Sequence, residues 1–191
     1  MKSYLSIDLD YWENPLKMER YLRKVLKIFP QAKIFRHHHL MLKDINKIEP
    51  DRIVNVDYHT DLASSRDIRR DRIELNEGTW GNFVKGSREE FLWVYPFTAC
   101  TRGKNNRDDD FTGWCHGEGN PNPFFTKNPF PICQWRRTRR RKGRLPNPKN
   151  FVAAAISLSP QYTHHKVLKR FKEFYEKTSG IKVGIQMKNF S

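Results

Sequence analysis

Three short β-prone segments, Tyr4 to Leu9, Ala32 to Phe35 and Arg52 to Val56, are separated by helical patterns, and each runs directly into acidic or imidazole residues. This alternation of strand and helix constrains the fold more than any other feature. Parallel neighbours need crossover helices, so the pattern predicts a mostly parallel sheet with helices on both faces, a three-layer α/β domain. The first helix is the clearest: Asn14-Pro15 supplies a cap and a proline at the first helical position. Met18, Tyr21, Leu22, Val25, Leu26 and Phe29 then recur at three- and four-residue spacing, with Lys17, Arg20, Arg23, Lys24 and Lys27 on the opposite face, until Pro30 ends the run. Leu40 to Ile48 reads as a second, shorter helix. In such a sheet, ligands bind where the carboxyl ends of the strands open.

Further along, Phe91 to Phe97 reads as a strand and Phe151 to Leu158 as a buried one. Ser159-Pro160 is expected to open a helix whose apolar stripe is Val167, Leu168, Phe171, Phe174 and Tyr175, closed by Gly180, and Ile181 to Met187 alternates like a last strand. Residues 100–150 are rich in Gly, Asn, Pro and Arg with little periodicity, as expected of a loop-rich basic insertion. The 191 residues, 37% of them hydrophobic, suffice for one core, so residues 1–191 are expected to form a single domain containing that insertion.

The formal charge of +15 suits an acidic partner, a nucleic acid or an acidic peptide, through long-range steering. Much of it lies in Arg136 to Arg144, which reads either as a solvated loop or as a contact surface. Aromatics such as Trp114, Phe124, Phe125 and Trp135 beside that run offer stacking surfaces for bases. No apolar run reaches the roughly 18 residues of a membrane span, and the N-terminus moves straight into Asp8 and Asp10, so a cytoplasmic protein without membrane attachment is expected. Cys100, Cys115 and Cys133 are odd in number and lack a C-x-x-C pair, which argues against both a disulfide framework and a structural zinc site.

The chemistry concentrates at the strand ends. They read Asp8-Leu9-Asp10-Tyr11-Trp12, His37-His38-His39, and Asp57-Tyr58-His59-Thr60-Asp61. Residues two apart in an extended chain point to one side, so Asp8 with Asp10, and Asp57 with His59 and Asp61, can converge. Gathered together, such groups repel one another and lose solvation unless a cation neutralises them, and mixed carboxylate and imidazole donors favour Mn²⁺, Fe²⁺ or Zn²⁺ over Ca²⁺. The plainer alternative makes each residue a helix cap or a surface ion pair. Two clusters that each follow an apolar strand weigh against it.

Val56-Asp57-Tyr58-His59-Thr60-Asp61-Leu62 resembles the D-A-H-x-D signature of the arginase and deacetylase superfamily, and Ser6-Ile7-Asp8-Leu9-Asp10 resembles its S-x-D-x-D signature. Within it, Asp8-Leu9-Asp10-Tyr11-Trp12 and Trp80-Gly81-Asn82-Phe83 look most like the small peptide-arginase group. Two features depart from the family: S-x-D-x-D comes first, as in a permuted chain, and Ser157 stands where arginases carry a guanidinium-binding glutamate. The resemblance implies an arginase-like fold with metal ligands Asp8, Asp10, His39, Asp57, His59 and Asp61, His38 being the alternative to His39. It implies two Mn²⁺, or else Fe²⁺ or one Zn²⁺, with Asp57, His59 and Glu77 taking part in catalysis, Glu77 by binding a cationic group, by moving protons, or only as an ion-pair partner. The implied reaction is hydrolysis of a linear C–N bond: arginine in a peptide becomes ornithine and urea leaves. The peptide is expected to carry an acidic leader segment for the basic insertion. An amide deacetylase, and a nucleic-acid-binding protein with a structural metal, are the competing expectations. His116, His164 and His165 are expected at the surface or behind the ligands.

Overall fold

The computed structural model describes residues 1–59, 61–62, 75–96 and 135–180. Six strands form one all-parallel sheet: β1 (Ser3–Asp8), β2 (Lys33–Phe35), β3 (Arg52–Val56), β4 (Glu90–Tyr95), β5 (Arg137–Lys142) and β6 (Ala153–Ser157), in the spatial order β2-β6-β1-β3-β4-β5. Among the described residues three α-helices flank it: α1 (Pro15–Ile28), α2 (Leu42–Ile48) and α3 (His165–Ser179). No described helix is long and apolar enough to cross a membrane.

From β1 the chain passes through α1 to β2 on one side of the sheet, and from β2 it returns through α2 to β3 on the other side of β1. Right-handed crossovers running in opposite directions place their helices on opposite faces. The two cores follow that division. Leu5, Ile7, Val54, Val56, Leu92, Val94 and Ile156 pack with α1 and α3, whereas Tyr4, Ile53, Phe91, Trp93 and Ala155 pack with α2, Trp80 and Trp135. Because the chain leaves β1 and β3 in opposite directions, a crevice opens between their carboxyl ends.

Asn14 caps α1 as its sequence suggests, its side chain accepting from the amides of Leu16 and Lys17, both at 3.0 Å. Glu19 on α1 is buried, pairs with Arg23 one turn on, and is also held by Arg170 of α3, so the two helices are tied by an ion pair beside their apolar contact.

Several elements differ from the sequence-based expectation. The Arg136 to Arg144 run is not a loop: β5 occupies most of it, in register with β4 from Glu90↔Arg137 to Tyr95↔Lys142. Pairing with β4 along the whole strand supplies backbone hydrogen bonds that a solvated loop would lack. Trp135, read as a stacking surface, is buried and donates to the carbonyl of Gly81 at 3.0 Å. The expected second helix begins as a 3-10 turn, His38–Met41, before α2. α3 starts at His165 rather than at Pro160, because Ser159 adopts a left-handed backbone (φ 37°) and its carbonyl closes a separate turn with Tyr162 and Thr163. Gly180 ends α3 with φ 68°, the conformation that favours glycine. The strand expected at Ile181 to Met187, the three cysteines, His116, Trp114, Phe124 and Phe125 lie outside the described residues.

Leu22 is fully buried between α1 and the sheet. Leu22→Ala is expected to lower unfolding free energy by about 2–5 kcal/mol in a denaturant titration. A loss under about 1 kcal/mol would contradict the packing described.

Candidate metal centre

β1 ends at Asp8, and Asp57 follows the last residue of the adjacent β3. Side-chain alternation turns Ser6, Asp8, Asn55 and Asp57 toward the same face as Tyr4 and Ile53, the face covered by α2. Past β2, His37 is still extended and the 3-10 turn starts at His38, which drives the His38 ring down onto Ser6. Asp8, Ser6, His38, Asp57 and Asp61 are all buried.

His38 Nδ1 lies 2.8 Å from an Asp61 oxygen, 2.9 Å from Asp57 Oδ2 and 3.2 Å from Asp8 Oδ2. None of the three meets it in hydrogen-bond geometry. Three carboxylate oxygens thus crowd one ring nitrogen without bonding to it, an arrangement that a cation at their centre satisfies. The spacing fits. Donors bound octahedrally at about 2.0–2.2 Å are separated by roughly 2.8–3.1 Å along each edge of the polyhedron.

Asp8, His38 and Asp57 form one group of potential ligand atoms, and Asp10, Asp57 and His59 a second. Asp57 belongs to both through different oxygens: Oδ2 faces His38, whereas Oδ1 accepts from the His59 amide at 2.7 Å and lies 3.8 Å from His59 Nδ1. Asp10 Oδ2 is 2.9 Å from His59 Nδ1 and its Oδ1 accepts from the Tyr58 amide. These buried Asp and His groups can hold a metal ion.

Neighbouring side chains fix the donors. Ser6 Oγ sits 2.6 Å from His38 Nε2, which leaves Nδ1 to face the carboxylates. Asp8 is held by the Asp10 amide and the Ser159 hydroxyl, and Ser159 in turn meets Ser157 at 2.9 Å. Asp61 has a left-handed backbone (φ 60°) and accepts from Trp80 Nε1 at 2.7 Å and Asn55 Nδ2 at 3.2 Å. The Trp80-Gly81-Asn82 segment clamps this turn: Gly81 donates to the Asp61 carbonyl, Asn82 reaches the Leu62 carbonyl, and a Cβ on Gly81 would lie 2.8 Å from Leu62 Cδ2 and 3.0 Å from that Asp61 oxygen. Only glycine permits this approach.

The electrostatics follow from the crowding. Burial, then the charge of Asp57, pushes the Asp10 carboxyl up to about 6 against the opposing pull of His59. Burial and the adjacent Asp10 charge raise Asp8, and burial with the Asp61 charge raises Asp57. Burial disfavours charge on both imidazoles, yet the carboxylates prevail: His59 rises to about 9, and His38 also rises. Asp8, Asp10 and Asp57 are therefore reluctant to ionise, and His38 and His59 to lose their protons, a conflict that bound divalent charge resolves.

Of the expected ligands, the structure gathers Asp8, Asp10, Asp57, His59 and Asp61. In the histidine triplet it places His38, not His39, among them; the helical turn starts two residues before Leu40 and so selects the middle ring. His39 instead faces His37, with ring centroids 6.0 Å apart, and burial lowers its pKa. Glu77 is not among the ligand groups: it pairs with His37 and accepts from Gln161 at the rim. His164 caps α3 and stacks on His165, away from the centre. Sequence reasoning missed Asn55, Ser159 and Tyr162. Asn55 was detectable in principle, since it precedes Asp57 by two and must share its face, but nothing in the sequence brings residues 159 and 162 to Asp8 and His59.

No protein-family model matches the chain, and neither does a curated protein or a solved structure.

Two outcomes are expected. His38→Asn lowers metal affinity by about tenfold or more while His37→Asn and His39→Asn retain it, read by metal analysis after dialysis. Equal loss from all three would show that the triplet acts through folding. In calorimetry, metal binding by the wild type weakens as pH falls from about 9 toward 6, because His59 (about 9) and Asp10 (about 6) must shed protons to ligate, and protons are released on binding. Affinity independent of pH over that range would exclude these two as ligands.

Proposed function

We propose that the chain is an arginase-like hydrolase of linear C–N bonds that holds two Mn²⁺ ions and converts arginine side chains of a peptide to ornithine, releasing urea. One observation carries it: Asp57 lends one oxygen to each of two donor groups, as a carboxylate shared between two ions does. Charge agrees. With both imidazoles neutral as ligands, the four carboxylates Asp8, Asp10, Asp57 and Asp61 balance two divalent cations. A mixture of carboxylate oxygens and imidazole nitrogens suits Mn²⁺, with Fe²⁺ the nearest substitute.

A pair of ions held by these residues would lower the pKa of water toward neutrality and polarise the bond to be cleaved. The chain's residues do the rest. Asp8, His38 and Asp57 are fully buried and hold the inner position, while the side chain of His59 is 35% exposed and stands between the centre and solvent. There it closes the outer side of the second donor group, with Asp10 orienting its ring. Tyr162, itself exposed, meets the His59 ring edge-on with centroids 5.5 Å apart, and burial together with the charges of Glu77, Asp10 and Asp61 raises its pKa. Glu77 accepts from Gln161, the residue next to Tyr162, and so borders the same opening. Its carboxylate supplies the anion that a guanidinium requires, a role that Ser157 cannot take.

The decisive experiment incubates Mn²⁺-loaded protein with an arginine-containing peptide and measures urea together with the accompanying loss of mass. Urea release that falls by about 10²-fold or more in Asp57→Asn is expected. Glu77→Gln is expected mainly to raise KM, because it removes a binding charge and leaves the ligands intact. Acetate from an acetylated peptide, with no urea, would assign an amide deacetylase to the same residues. Neither product from the fully loaded protein would overturn C–N hydrolysis.

A further inference from the structure

Asn55 is a polar residue inside the buried strand β3. Its neighbours Ile53, Val54 and Val56 are buried as it is, and asparagine is a poor strand former. Its Nδ2 donates twice, to Asp57 Oδ2 at 3.3 Å and to Asp61 Oδ2 at 3.2 Å. The same two oxygens face His38 Nδ1, at 2.9 and 2.8 Å. This fixes the amide's direction, because turned over it would set Oδ1 against two carboxylate oxygens. Oδ1 is left buried and without a partner among the described residues. An amide that served the strand alone would satisfy both of its ends, so the side chain is committed to the carboxylates.

What it holds there is the plane of Asp57. The last torsion of an aspartate is broad and two-fold, so the residue itself does not fix how its carboxylate lies. Two N–H groups fix it, one on each oxygen: the His59 amide on Oδ1 at 2.7 Å, and Asn55 on Oδ2. The second hydrogen of Asn55 ties it to Asp61, whose Oδ2 is held independently by Trp80 Nε1 at 2.7 Å. Trp80, Asp61, Asn55 and Asp57 thus form one chain of hydrogen bonds, anchored in the core under α2 and ending on the carboxylate common to both donor groups.

We propose that Asn55 is the positioning residue that makes Asp57 bridge two ions: by spanning Asp57 Oδ2 and Asp61 Oδ2 it keeps Oδ2 toward Asp8 and His38 while Oδ1 stays toward Asp10 and His59. Without that hold the carboxylate is fixed at Oδ1 alone. It can then turn about Cβ–Cγ until both oxygens meet one cation, a mode open to any carboxylate, and the other cation loses its bridge. A neutral donor suits the position. A carboxylate there would repel Asp57 and Asp61, and a cationic side chain would cancel the charge that draws the ions. The inference rests on the two-ion reading of the centre and is independent of the reaction carried out there.

The test loads the full chain with Mn²⁺ and follows it by calorimetric titration and by electron paramagnetic resonance, which separates ions coupled through a shared bridge from isolated ones. The wild type is expected to bind two ions and to give the spectrum of a coupled pair. Asn55→Leu fills nearly the same space without a donor. It is expected to weaken the second binding step by about tenfold or more and to give the spectrum of isolated ions, with the circular dichroism of the metal-free chain unchanged. Asn55→Ala leaves space where leucine fills it, and it is expected to show the same loss. Wild-type coupling in either folded variant would overturn the role of Asn55. Uncoupled ions in the wild type, or a single ion, would overturn the bridge itself without requiring any variant to fold. Coupling that depends on Asn55 in a protein that releases no urea would uphold the inference and remove only C–N hydrolysis.

Discussion

Four carboxylates and two imidazoles brought within a few ångströms of one another form the constraint on which the rest of this structure depends. Their mutual repulsion and lost hydration are large terms against folding, and Asp57 stands at the centre of them. One of its oxygens faces His38 and the other the His59 side, so both donor groups lose a member if it is removed. The reversal of chain direction at β1 makes the gathering possible: α1 and α2 pack on opposite faces, and Asp8 and Asp57 meet at the carboxyl ends of the neighbouring strands β1 and β3.

Around that gap the packing holds polar groups in place rather than simply filling space. Trp80 belongs to the apolar core under α2, yet its indole nitrogen fixes Asp61, and Gly81 lets the backbone pass close to the Asp61 turn. The left-handed residues Asp61 and Ser159 both belong to this region. Such backbone costs a little locally and is kept where surrounding contacts over-determine it. Here those contacts come from Trp80, Gly81 and Asn55 around Asp61, and from Asp8 and Ser157 around Ser159.

Charge is distributed in two opposite zones. The centre is negative, buried and compact; the edge strand two positions away is positive, solvated and extended. The zones differ in range as well. Attraction at the edge is screened by salt beyond roughly 10 Å, while interactions inside the centre are strengthened by exclusion of water.

The amino-acid order by itself determined the parallel α/β architecture and the limits and cap of α1, because side-chain periodicity in strands and helices is local and survives in the one-dimensional pattern; Asp8, Asp10, Asp57, His59 and Asp61 do meet, but through a 3-10 turn at Leu9–Tyr11 and a left-handed Asp61 rather than through extended chain. Only the tertiary structure decided which ring of the histidine triplet faces the carboxylates, since that depends on where a 3-10 turn starts against Ser6. It also decided that a run of arginines becomes an edge strand. Pairing with β4 supplies backbone hydrogen bonds that no composition of the run foretells. Ser159 and Tyr162 became part of the site for the same reason: β6, late in the chain, inserts between β1 and β2, and strand order is a long-range choice that local residue patterns do not encode.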